Sequence, residues 1–363
     1  DVAPSRGLGD VYKRQVLILL PNRRACRSLA DAFVRLQGMK PTLLPQMKAI
    51  GDVKEDELIL SGGNAAAEFL NLPPAIEPLE RTMLFTRLII GRYSEFGIEK
   101  ISLAQACGLA QELGSLIDTA AMYNLDWNNL EKLAPGEYAA HWQETLKFLA
   151  IITRYWPDIL NDRQVIDAGT RKNILIEKQS DIWQQLKPAQ RIIIAGTTAV
   201  SPAMKKLVKT VLELPAGEVF LAGLDQNLED SAWQQIDETH PQFELKQLLD
   251  YLQIDRLAIP CLLPPANQAR EKLISEIMRP AAASDYWRQL AGSLDTKAVD
   301  GINLIECDAP RTEALTIAVL IRRALETPGR TIALITPDRN LARRVAGELQ
   351  RWEIIVDDSA GIP

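Results

Sequence analysis

The chain has 363 residues, 47% of them hydrophobic and 24% charged. That is the balance of a soluble globular protein too long for one ordinary core, so two or three domains are expected. Its net charge of −6 argues against coating nucleic acid by bulk electrostatics and leaves room only for a local basic strip. Cys26, Cys107, Cys261 and Cys307 stand far apart with no Cys-x-x-Cys pair, against a zinc site or a disulfide framework; they read as small core residues. His141 and His240 leave little scope for histidine chemistry. No apolar run nears the roughly 20 residues of a membrane span, so no membrane partner and a cytoplasmic location are expected.

Residues 1–15 lack the apolar core of a signal peptide. Asp10-Val-Tyr-Lys-Arg-Gln15 resembles a translated sequencing adapter, so 1–15 are expected to be a non-native leader. Val16-Leu-Ile-Leu-Leu20 reads as a buried strand. A helix is expected from Arg23 to Leu36, with Cys26, Leu29, Ala30, Phe33 and Leu36 toward the core and Arg23, Arg24, Arg27 and Arg35 away from it. Gly38 closes it, Pro41-Thr-Leu-Leu44 is expected to begin a second strand, and Gly51-Asp52 and Ser61-Gly-Gly63 mark loops.

Amphipathic helical patterns dominate the next stretch, at 79–93, 103–122, 138–160 and 170–186, punctuated by Pro73-Pro74, Pro135-Gly136 and Pro157. Strand character returns at Arg191-Ile-Ile-Ile-Ala195. A helix over 202–214 and a strand over 218–222 follow, a unit that belongs in a parallel sheet. Residues 231–299 are mixed, with helices near 245–252 and 268–278. Strands at 301–305, 331–335 and 354–356 then alternate with a helix over 311–326 and another after Thr336-Pro-Asp-Arg339. The chain stops directly after a strand, as a fragment would.

Three strand ends carry polar clusters, where open parallel sheets place ligand sites. They are Leu20-Pro-Asn-Arg-Arg-Ala-Cys26, Ile194-Ala-Gly-Thr-Thr-Ala-Val-Ser-Pro202 and Leu221-Ala-Gly-Leu-Asp-Gln226. Their order and spacing resemble the first RecA-like domain of superfamily-1 helicases of the UvrD/RecB type. In that family a Thr-Asn-Lys-Ala-Ala-like segment touches single-stranded DNA, and Pro21-Asn-Arg-Arg-Ala-Cys26 holds the comparable place. The resemblance implies DNA contact by Asn22, Arg23, Arg24 and Arg27. Anchored on Pro202, the family's Asp-Glu-x-Gln-Asp motif falls on Ala195, Gly196, Thr198 and Ala199, and its Gly-Asp-x-x-Gln motif is loosened to Gly223, Asp225 and Gln226. Phosphoryl transfer needs a carboxylate for Mg²⁺ and a residue to position water, and Ala195 and Gly196 supply neither. No phosphate-binding loop occurs in the chain.

A narrower resemblance is to the AddB family of alphaproteobacterial type. It is carried jointly by Leu19-Leu-Pro-Asn-Arg-Arg-Ala-Cys-Arg27, Leu44-Pro45 with Gly51-Asp52, Ala195-Gly-Thr-Thr198 with Ser201-Pro202, and Pro215-Ala-Gly-Glu-Val219 with Gly223-Leu-Asp225. His240-Pro-Gln-Phe243, Thr336-Pro-Asp-Arg339 and Asp357-Asp-Ser-Ala-Gly361 complete it, over essentially all of 16–363.

The resemblance implies an α/β fold: a helicase-like, RecA-type parallel sheet (16–64 and 189–230) with a helical insertion (65–188). A mixed connecting region (231–299) and the start of a second, truncated RecA-like domain (300–363) would follow. It implies a DNA-binding, ATPase-inactive part of a double-strand-break resection complex, holding a single strand or duplex end while the AddA helicase-nuclease subunit drives translocation. Scanning for a recombination hotspot belongs to the same implication. No catalytic residue, metal ligand or cofactor is expected in this chain, because the family's Mg²⁺-dependent nuclease domain lies outside it. An ATP-dependent helicase whose phosphate-binding loop is lost by truncation, and a purely structural adaptor, are the competing readings.

Simpler roles weigh on individual residues. Asp225 and Gln226 suit a turn, His240 and Trp233 suit packing or a loop hydrogen bond, and Arg339, Arg343 and Arg344 suit a solvated helix face. Asp357 and Asp358 suit turn formation.

Overall fold

The computed structural model describes residues 16–38, 40–41, 43–52, 72–93, 100–127, 129, 145–146, 148–290 and 292–358. The expected leader (1–15), the loop at 61–63, Pro135-Gly136 and His141 lie outside them. The chain divides into two compact units, 1–294 and 295–363.

In the first unit four strands form one all-parallel sheet, β1 (Val16–Leu20), β2 (Gln46–Ala49), β3 (Arg191–Ala195) and β4 (Gly217–Phe220), in the order β2-β1-β3-β4. The second strand falls at 46–49, not 41–44. Parallel pairing sets Leu17 beside Gln46, and Pro41 has no N–H to give a ladder. α1 (Arg23–Leu36) connects β1 to β2 and contacts both. The bundle helices are α2 (Pro78–Arg92), α3 (Leu103–Tyr123) and α4 (Trp156–Arg163), and α5 (Ala168–Leu186) leads into β3. α6 (Pro202–Glu213) joins β3 to β4. The unit continues with α7 (Asp230–Gln234), α8 (Phe243–Leu252), α9 (Gln268–Ile277) and the short α10 (Trp287–Leu290).

Strand alternation sorts the two faces of the sheet. Leu17, Leu19, Ile192 and Ile194 share one cluster with Leu175, Ile176 and Trp183 of α5 and Leu207, Val208 and Val211 of α6. Ile18 and Leu20 point the other way, toward the α1 side. Successive parallel connections keep one hand, so a chain that runs left from β1 to β2 and later right to β3 puts α1 opposite α5 and α6. α5, expected inside the 65–188 insertion, therefore belongs to the layers around the sheet. α1 is covered less than its pattern predicts: it has no fully buried residue, and Leu36 is 84% exposed. None of the four cysteines is fully buried either, and Cys261 is exposed with its thiol donating to the Leu263 carbonyl.

The helical insertion has its own core, with Phe85 against Trp156 (ring centroids 4.2 Å apart) among Ile89, Ala106, Ala110, Leu113 and Ile117. A Ser102–Gln105 capping box starts α3. Pro157 does not end the helix expected over 138–160. A π-helical turn, Ile151–Tyr155, precedes α4, with the Trp156 N–H reaching back to the Ile151 carbonyl. The wider turn accommodates a proline that has no N–H and crowds the preceding turn.

The second unit holds α11 (Pro310–Leu325) and α12 (Arg339–Gln350), packed through Ala314, Ala318, Ile321, Val345 and Leu349. Residues 301–305, 331–335 and 354–356, expected as strands, make no ladder there. A strand forms only where a second extended segment lies in register beside it, and no such pairing is made among the described residues of the unit.

Candidate nucleic-acid interface at the carboxyl edge of the sheet

The reversal of strand order between β1 and β3 opens a crevice at their carboxyl ends, the position where open parallel sheets bind ligands. Its two lips are Pro21-Asn22 and Gly196-Thr197-Thr198. A Cβ placed on Gly196 would meet the Pro21 ring at 3.7 Å, so these two sequence-distant segments touch. Gly196 has φ +72°, a left-handed turn suited to glycine, and its N–H donates to the Phe220 carbonyl at the end of β4 (2.9 Å). Ala199 takes the same unusual region (φ 51°) while buried in the core, its N–H held by Thr197 Oγ1 at 3.1 Å. Ser201 then caps α6, accepting from the Met204 N–H, with Pro202 in the first turn.

On the opposite lip, the Asn22 side chain accepts from the Ala25 N–H (2.8 Å) and caps α1. Asn22 is therefore a positioning residue for the helix start. Arg23 donates from Nε to Asp52 Oδ2 at 2.7 Å, an ion pair between the end of β1 and the loop after β2. Its guanidinium is held further in the charged form by that carboxylate. Behind the pair, the aliphatic chain of Lys172 from α5 lies over Gly51, at the place a Cβ there would occupy. Arg24, Arg27 and Arg35 are exposed along α1, with Asp31 between them. Positions 24, 27, 31 and 35 follow one helical line about 16 Å long. With the Ala25 N–H taken up by Asn22, the phosphate-binding chemistry of this surface rests on the three arginines along the line, interrupted by Asp31.

Ala195 and Gly196 bring no carboxylate to the end of β3, and Asp52 faces Arg23. Among the described residues at this edge, none supplies a carboxylate free of such a pair at the end of β3, where a magnesium nucleotide would need one.

The third cluster is occupied by structural work. Asp225 Oδ1 accepts from the N–H groups of Asn227 and Leu228 (2.8 and 3.0 Å), the turn role expected for it. Gln226 Nε2 donates to the carbonyls of Arg256 and Ile259 (2.7 and 2.8 Å). Arg256, buried, donates to the Asp225 and Leu228 carbonyls and pairs with Asp230, its guanidinium 4.8 Å from the Trp233 ring. Gln242 bridges the Gly223 carbonyl and the Asp225 N–H. His240 Nδ1 accepts from the Gln242 N–H, which leaves Nε2 to donate to the Met278 carbonyl. Trp233 and His240 thus pack and pin loops.

In the second unit Arg339 pairs with Asp358 (2.9 Å), and Arg343 and Arg344 lie exposed on α12. Among the described residues no group of three or more His, Cys, Asp or Glu is placed to hold a metal, and no helix is long and apolar enough to cross a membrane.

One polar network escapes the sequence reading. Arg81 grips Asp118 through two bonds of 2.7 Å and reaches Asp167 at 3.5 Å, while Trp156 Nε1 donates to Asp167 at 2.8 Å. Burial pushes the Asp167 carboxyl above its ordinary range, against the opposing pull of Trp156 and Arg81. The network ties α2, α3, α4 and the start of α5. Positions 81, 118, 156 and 167 share no spacing that would announce it.

No family model and no curated protein matches the chain.

Proposed function

We propose that this chain is the DNA-handling, non-motor portion of an AddB-like protein, with its four-stranded sheet serving as a RecA-like, superfamily-1 helicase-type domain. It would hold a single strand or duplex end during double-strand-break resection while an AddA-type partner drives translocation and the two together support recombination. One observation carries the reading. The crevice at the strand-order reversal presents the start of α1 with exposed arginines, yet the end of β3 offers Ala195 and Gly196 where a nucleotide-splitting site keeps acids.

In this reading Arg24, Arg27 and Arg35 meet phosphates and Asn22 fixes the helix start. Arg23 divides its charge between Asp52 and the nucleic acid. Hotspot scanning and the Mg²⁺-dependent nuclease remain with the resemblance, and the chain's own residues assign neither.

The test is binding of a labelled single-stranded oligonucleotide by fluorescence anisotropy, with and without magnesium ATP, alongside a phosphate-release assay. Binding that is indifferent to nucleotide, with no DNA-stimulated hydrolysis, is the expected result. DNA-stimulated hydrolysis would support the helicase reading instead. A structural adaptor draws support from Leu79, Met83 and Leu103, which are 57–69% exposed on α2 and α3. It predicts no salt-dependent DNA affinity.

A further inference from the structure

A short link turns α5 into β3, so the helix runs against the strands and its first turns lie at their carboxyl ends. Three polar side chains there hold the fold together. Asp167 accepts from Trp156 and Arg81, Arg171 Nε donates to the Pro73 carbonyl at 3.1 Å, and Asn173 Nδ2 donates to the Ala121 carbonyl at 2.6 Å. Lys172 differs from all three. It is exposed, and among the described residues its ammonium has no carboxylate or carbonyl partner.

That ammonium is nevertheless held in place. Gly51, in the turn after β2, has φ +93°, and a Cβ built on it would fall 2.0 Å from Lys172 Cε and 2.8 Å from Nζ. The lysine chain fills the space that any other residue at 51 would need for its side chain. A turn that requires glycine for its backbone thereby seats the lysine methylenes against main chain. The side chain is ordered before a ligand arrives, so binding there loses little rotamer freedom.

The next residue, Asp52, is engaged by Arg23 at 2.7 Å. The 51–52 turn therefore has a cation on either side, Arg23 from the α1 layer and Lys172 from the α5 layer. β2 is the edge strand, so the two helical layers meet at this turn.

We infer that Lys172 is a further contact to the backbone phosphates of DNA, and that the bound strand passes from α1 over the carboxyl ends of β1 and β2 to the start of α5. The inference rests on the DNA-handling role proposed above and adds a residue and a path to it. A positioned ammonium beside a line of arginines suits a phosphate as a point charge, without reading any base.

Binding of a labelled single-stranded oligonucleotide by the 363-residue chain, followed by anisotropy across a salt series, tests this. Lys172→Met keeps a chain over Gly51 and removes the charge. It is expected to lower the slope of log affinity against log salt by about 0.7 and the affinity near 0.1 M salt about fivefold. A packing role alone would move the urea midpoint and not the slope. Lys178→Met, about 9 Å further along the same helix, leaves slope and affinity as in the parent. Lys172→Met binding like the parent, while Arg24→Gln/Arg27→Gln/Arg35→Gln weakens binding, overturns the inference and leaves the DNA reading standing. An equal loss in Lys178→Met overturns it too, since any charge on α5 would then serve. Displacement of the oligonucleotide by ATP from the parent, but not from Lys172→Met, would assign the ammonium to a nucleotide and equally overturn it. A parent chain without salt-dependent binding overturns both readings.

Discussion

Arg23 Nε lies 2.7 Å from Asp52 Oδ2, so one exposed ion pair joins the carboxyl ends of β1 and β2 beside the crevice. The pair is open to solvent, and such pairs are screened and contribute little to stability. Its consequence is local: Asp52 competes with any phosphate that approaches Arg23. Asp52→Asn is therefore expected to raise affinity for single-stranded DNA about threefold in dilute buffer, a gain lost in high salt. The melting temperature stays within scatter of the parent. Unchanged or weaker binding in dilute buffer would remove Arg23 from the interface.

Asp225 and Gln226 are expected to matter for folding and not for DNA. Asp225→Ala leaves the Asn227 and Leu228 N–H groups without their acceptor, at a cost of about 1 kcal/mol. Gln226→Ala frees the Arg256 and Ile259 carbonyls at a cost of about 1–2 kcal/mol. Urea unfolding reads both, and DNA affinity at matched folded concentration stays as in the parent. A specific loss of binding by either variant would restore the third cluster to the functional site.

The buried Asp167 carboxyl gives the helical bundle a defined pH response. Burial raises its pKa, so the folded chain holds the proton at a higher pH than the unfolded chain does. Between the ordinary carboxyl value and the raised one, protonation favours the fold, and this group's contribution to stability grows as pH falls. Urea midpoints of the parent and Asp167→Asn, followed from neutral pH down to the ordinary carboxyl range, measure it. The parent is expected to gain relative to the variant on acidification. The opposite trend would mean that Trp156 and Arg81 outweigh burial.

Much of the sheet was legible from apolar runs bounded by turn residues. β1 and α1 have the expected bounds, and β3, α6 and β4 lie within a residue or two of theirs. What the sequence hid follows from partners distant along the chain. β2 moved because register with β1, not local composition, selects which residues pair. Strand-like runs at 301–305, 331–335 and 354–356 stayed unpaired because a run specifies half of a ladder. At the crevice, the start of α1 was readable from Asn22 followed by arginines. The Asp52 partner of Arg23 and the Lys172 cover on Gly51 were not, since tertiary folding alone brings 23, 52 and 172 together. That Ala195 and Gly196 bring no carboxylate to the end of β3 could be read directly. That the Asp225–Gln226 cluster pins a loop was not legible, since its partners Arg256 and Ile259 lie some thirty residues further along the chain.

The central claim is that α1 meets phosphates through its exposed arginines, and the salt dependence of DNA binding tests it most directly. Each phosphate neutralised on a single strand contributes about 0.7 to the slope of log affinity against log salt. The combined variant Arg24→Gln/Arg27→Gln/Arg35→Gln is expected to flatten that slope by about 2 and to weaken binding in dilute buffer, with the fold intact by circular dichroism. A slope and an affinity equal to the parent's would contradict the account.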